Sequence, residues 1–67
     1  MTRRMEGRES YRASHGTYPH GRGHWVFEMM TAYGVRTFEH TGMYSEACRA
    51  AKRAAREMMA SSVRVMS

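Results

Sequence analysis

The chain contains no leucine, isoleucine, aspartate, asparagine or glutamine. The large apolar positions therefore fall to eight methionines, four valines and the aromatics. Methionine fills irregular gaps well but specifies a unique core less tightly than branched side chains do. A single cysteine, Cys48, excludes an internal disulfide and a cysteine-rich zinc site. With no aspartate and only scattered glutamates, catalysis by paired carboxylates has no basis in the sequence. No apolar run approaches the ~20 residues that span a bilayer, and no signal-peptide core follows the N-terminus. The expected setting is the cytoplasm, with Cys48 reduced. At 67 residues the chain is one small domain. A domain of this size buries only about 60% of its unfolded surface, so self-association or a larger partner would relieve a thin core.

What is present falls into an ordered pattern. His24 to Met30 sets Trp25, Phe27 and Met29 on one face and His24, Val26, Glu28 and Met30 on the other, as a half-buried strand does. Val35 to His40 reads as a second strand, with Phe38 beside Arg36 and His40, and Thr31-Ala32-Tyr33-Gly34 makes the hairpin turn. Ser45 is a suitable N-cap for a helix in which Glu46 favours the first turn, and which fades near Ala60. Ala47, Ala51, Ala54 and Met58 lie along one side of it, with Ala50, Ala55 and Cys48 adjacent. Trp25, Phe27 and Phe38 are expected to pack beneath those alanines.

Residues 1–23 read as a basic, flexible arm carrying Arg3, Arg4, Arg8, Arg12 and Arg22, with Ser10–Ser14 able to form a short first strand. His20-Gly21-Arg22-Gly23 leads into the hairpin. No helix follows it directly, so it lacks the helix N-terminus that a phosphate-cradling loop needs. Residues 24–60 form the hairpin plus helix. Residues 61–67 form a tail whose Val63-Arg64-Val65-Met66 suits an edge strand or a self-association segment, which makes a homodimer a candidate state. The expected fold class is α+β, a two- or three-stranded antiparallel sheet against one C-terminal helix (ββα or βββα).

The formal charge is +5, and ten of the eleven cations are arginine. Arginine forms planar, bidentate contacts with phosphate and carboxylate, although a GC-rich genome would favour the same residue. Arg49, Lys52, Arg53 and Arg56 fall at i, i+3, i+4 and i+7, which places four cations on one helix face. Like charges at that spacing repel by a few tenths of a kcal/mol per pair, and a face needing only solvation usually interleaves acids. Glu46 and Glu57 do so only at the ends. Such a stripe suits a phosphate backbone or an acidic partner protein. A solvated face on an arginine-rich protein is the plain alternative. Arg36, Arg22 and Arg12 complete the candidate binding set.

The remaining reactive side chains form weaker patterns. His15, His20, His24 and His40 match no zinc spacing, so no metal and no cofactor are expected. Cys48 near a helix start would have a lowered pKa if exposed there, or act as a small core residue if not. Tyr11, Tyr18, Tyr33 and Tyr44 would stack on bases if exposed, and are otherwise ordinary turn and rim residues.

Gly23-His24-Trp25, Arg36-Thr37-Phe38-Glu39-His40-Thr41 and Glu46-Ala47, in that order, resemble the small sheet-plus-helix DNA-binding domains of phage integrase arms and the plant ethylene-response type. That resemblance implies DNA binding through the sheet face. The alanine-rich, basic helix is also similar to the last half of a double-stranded-RNA-binding domain. Each resemblance covers about half the chain. Together with the charge, these features point to a non-enzymatic nucleic-acid-binding module using the basic helix face and the arginine-rich arm. A second reading is a phage or mobile-element inhibitor of a host protein, of anti-defence or anti-CRISPR type, docking on an acidic surface.

Overall fold

A computed structural model describes residues 5–66, and the fold is α+β. The elements are β1 (Met5–Glu6), α1 (Arg8–His15), β2 (Arg22–Thr31), β3 (Gly34–Met43), α2 (Tyr44–Glu57) and β4 (Ser62–Val65). The sheet has four strands in the order β1-β4-β2-β3. β2 pairs antiparallel with both β3 and β4, and β1 lies parallel to β4. β3, α2 and β4 thus make a βαβ unit whose two parallel strands are separated by β2.

The hairpin forms where alternation requires it, and is longer than the expected segments. Its register runs unbroken from Arg22 opposite Met43 to Thr31 opposite Gly34. Gly34 turns the corner at φ +112, and Thr31 Oγ1 both donates to Gly34 O and accepts from the Tyr33 N–H. Trp25, Phe27 and Met29 are buried on the inner face, while Val63 and Val65 of β4 and Met5 of β1 extend that face sideways. Ala47, Ala51 and Ala55, spaced one turn apart, close over it. Ala55, rather than Ala54, is the fully buried third alanine, and Phe38 is only half-buried. The small alanines let α2 approach the sheet closely, with the aromatics filling the space between.

Several expectations are corrected. The sheet has four strands rather than two or three, and there are two helices rather than one. Ser10–Ser14 lies inside α1 rather than in a strand. Glycines in left-handed conformation bracket that helix, Gly7 at φ 86 and Gly16 at φ 81. Within it, Tyr11 and His15 stack one turn apart at 4.0 Å. A five-residue segment such as Ser10–Ser14 is too short for its pattern to distinguish a strand from a helix. From Met5 onward the arm is therefore β1, α1 and the entry to β2, and His20–Gly23 is no flexible lead, because β2 begins at Arg22. Arg3 and Arg4 lie outside the described residues.

The start of α2 is also not a serine cap. Helix begins at Tyr44 directly from β3, with Met43 in the cap position and no side-chain cap, and the Tyr44 N–H at its start donates to Gly21 O at 2.7 Å. α2 ends at Glu57, and Met59 at φ 56 reverses the chain. The tail is no edge strand. β4 sits between β1 and β2, with Met29 opposite Val63 and Phe27 opposite Val65, so it is paired within the chain on both sides. Among the described residues, no helix is long and apolar enough to cross a membrane.

Candidate nucleic-acid interface

Both helices cover the inner face of the sheet, and the other face is open. Trp25 lies between them, its ring 5.8 Å from that of Tyr11 on α1 and 4.8 Å from that of Tyr44 on α2. The side of α2 away from the sheet follows from its phase. With Ala47, Ala51 and Ala55 inward, a turn of 100° per residue sends Arg49, Arg53 and Arg56 outward. All three are exposed, and Lys52 on the flank is half-buried. The stripe runs ~10 Å along the helix from Arg49 to Arg56, at ~1.5 Å per residue.

Among the described residues, none of these four cations has a carboxylate within ion-pair distance. Among the described residues the one ion pair is His24 with Glu39, at 2.6 Å on the open face of the sheet. Glu46 and Glu57 stand at the two ends of α2 without pairing to the stripe.

The remaining expected binding residues are distributed unequally. Arg36 is exposed on the inner side of β3 opposite Met29, towards the end of the sheet where α2 finishes. Arg12 lies on α1, its guanidinium 5.2 Å from the centre of the Tyr18 ring. Arg8 sits over the same ring at 5.3 Å, and Tyr18 donates its hydroxyl to Glu9 at 2.9 Å. Arg12 is thus held against an aromatic, partly occupied in a cation–π contact. Arg22 shares strand parity with His24 and Val26, which places it on the open face, away from the stripe. Arg8 was read only as part of the arm; its place beside α2 depends on α1, which the Gly7 and Gly16 bracket could have signalled.

The open face has a different character. Glu6, Arg64, Glu28 and Thr37 stand side by side across four strands, one cation between two carboxylates. His24 bridges Glu39 and Thr41 through its two ring nitrogens, at 2.6 and 3.0 Å. Arg8, Arg12, Arg36 and the α2 stripe lie on the helix side. The helix side of this small sheet is therefore strongly basic, while the open face, with Glu6, Glu28 and Glu39 beside Arg22 and Arg64, is close to balanced.

The other reactive groups have separate local roles. His15 stacks on Tyr11, His20 shares a hydrogen bond with Tyr18 O at 2.8 Å, and His40 is half-buried opposite Trp25. Among the described residues no three His, Cys, Asp or Glu side chains come together as a metal site. Cys48 is half-buried against the core, and desolvation pushes its thiol pKa up despite the neighbouring Tyr44 hydroxyl and the nearby charges of Lys52 and Arg8. Of the two readings of Cys48, the small core residue is the one that fits, because loss of water outweighs the helix start. Burial likewise raises Tyr44, whose hydroxyl oxygen is enclosed, with the weakly polar Cys48 thiol one turn on as a further cause. Tyr33, in contrast, is almost fully exposed at the hairpin tip.

No protein-family model, curated protein or solved structure matches the chain.

Proposed function

We propose that this chain is a non-enzymatic nucleic-acid-binding module that lays the outer face of α2 on a phosphate backbone. The observation that carries this reading is the set Arg49, Arg53 and Arg56, directed away from the sheet, with Lys52 on the flank, all four without a carboxylate partner among the described residues. Arginine suits phosphate in a planar, bidentate geometry, and a polyanion would remove the mutual repulsion of the stripe. Arg36 and the Arg8–Arg12 pair on α1 flank this surface. The sheet-face route implied by the integrase-type resemblance is less favoured, because Glu6, Glu28 and Glu39 occupy that face.

One observation favours the second reading, an inhibitor docked on an acidic host protein. Met58 and Met59 are exposed beside the end of the stripe, Met59 at 83%. Methionine adapts to protein surfaces and has no special affinity for phosphates. The two readings separate in a pull-down from lysate, with and without nuclease. The nucleic-acid reading expects co-purifying polynucleotide that nuclease releases, lost when Arg49 and Arg53 are both replaced by glutamate. A protein that stays bound after nuclease, and is lost in the same variant, would replace it with the inhibitor reading.

A further inference from the structure

The two edges of the sheet are built differently. One edge is β1, two residues long, and a short strand is a common device for blunting an edge. The other is β3, ten residues with no bulge in its register, no proline and no lysine. A long, flat edge of this kind is a template for another strand.

The hydrogen bonding shows which groups the edge offers. The Met66 N–H donates to Val26 O and the Ser61 N–H to Met30 O, so Val26 and Met30 direct their backbone groups towards β4. Their partners across the hairpin, Glu39 and Val35, then direct theirs away from β2. By the two-residue period, Thr37 and Thr41 do the same. Four residues thus present N–H and C=O groups along an edge that no other strand covers among the described residues. Phe38, in the middle of them, is half-buried on the helix side, 6.2 Å from Phe27.

We propose that two copies of this chain pair antiparallel through their β3 edges, about a two-fold axis at Phe38, to form one continuous eight-stranded sheet. The sequence of the edge is complementary to itself in this register. Phe38 meets Phe38 of the second copy, completing its burial as an aromatic cross-strand pair. Thr37 faces Glu39 of the second copy, Val35 faces Thr41, and the two glycines Gly34 and Gly42 meet at the ends. The four outward residues of each copy supply about eight hydrogen bonds. Sliding one step towards the C-terminus sets Glu39 against Glu39, like charge directly opposite. Sliding the other way sets Arg36 over Phe38 and shortens the pairing. Within each copy Glu39 is already drawn to His24, so the one carboxylate along the edge is held over its own sheet. The contact is isologous and closes at two copies, and it sets both α2 helices on the same side of the joined sheet. It stands whether or not that side binds phosphate.

Sedimentation of the wild-type chain across concentration, with amide hydrogen exchange on the same samples, tests this. The expected result is a dimer in which the amides of Val35, Thr37, Glu39 and Thr41 become protected as the dimer forms. Thr37→Pro removes a donor that β2 does not use, so it is expected to weaken the dimer at least about tenfold while helical circular dichroism persists. Three results would overturn the proposal. One is a monomer at every concentration, which leaves the edge to an extended segment of some other protein. Another is a dimer in which those four amides exchange freely. The last is a folded Thr37→Pro variant that dimerises as the wild type does.

Discussion

Replacing Trp25 with alanine is expected to destabilise the domain by about 3–5 kcal/mol, the range for removing a large buried aromatic. Trp25 is only 5% exposed, and its Nε1–H donates to Gly42 O at 3.1 Å. That bond ties the first strand of the hairpin to the end of β3, just before α2 begins. The same ring packs between Tyr11 and Tyr44, so one side chain joins both helices to the sheet. Small domains are stable by only about 5–15 kcal/mol, so this loss is a large share of the total. Urea unfolding followed by circular dichroism measures it, since the variant loses the only tryptophan. Trp25→Phe retains a ring but loses the bond to the Gly42 carbonyl, and is expected to cost less, about 1–3 kcal/mol. Unchanged stability in Trp25→Ala would show that Trp25 lies on the surface and that the two helices are held by other contacts.

The second large effect is expected at Gly7, between β1 and α1. Its φ is +86, and a Cβ there would lie 2.6 Å from Arg64 Cγ and 2.6 Å from Val65 O. The arginine side chain can move aside. The carbonyl cannot, because Val65 is paired to Phe27 in the middle of the sheet. A left-handed L-residue costs about 1–2 kcal/mol, and forced overpacking adds about 1–3. Gly7→Ala is therefore expected to lose roughly 2–5 kcal/mol. Gly16→Ala is the matched control: φ is +81, but nothing lies within 4 Å of the added carbon, so only the backbone term applies. Equal losses at the two positions, measured by denaturant unfolding, would show that the approach of Gly7 to β4 is not a tight one.

These two positions also mark what was legible in the sequence. The hairpin and α2 were, because Trp25, Phe27 and Met29 repeat every second residue and the alanines recur at helical spacing. Those periods are strong, and burial of one face enforces them. α1 was not legible from periodicity, since it is eight residues long with Tyr11 packed on the core, and only the glycines at its two ends mark it in the sequence. β1 is two residues, below any local signal. The alternation of Val63 and Val65 showed a strand, but its central place depends on pairing with Phe27 and Met29, more than thirty residues away in the chain. The basic stripe was readable from spacing alone, since the helix that carries it was. Placing Arg22 needed the strand to begin two residues earlier than the apolar run, and placing Arg8 and Arg12 against Tyr18 needed α1.

The salt dependence of duplex DNA binding, measured for the wild type and for a variant with Arg49 and Arg53 both changed to alanine, tests most directly whether the face of α2 binds phosphate. Each phosphate contact on a duplex contributes about 0.9 to the slope of log affinity against log salt. Both side chains are exposed on the outward side of α2, so their removal leaves the core intact. The expected result is a steep slope for the wild type, and for the folded variant one shallower by roughly two units. An unchanged slope and affinity in that variant would contradict the account: the stripe would then be a solvated face.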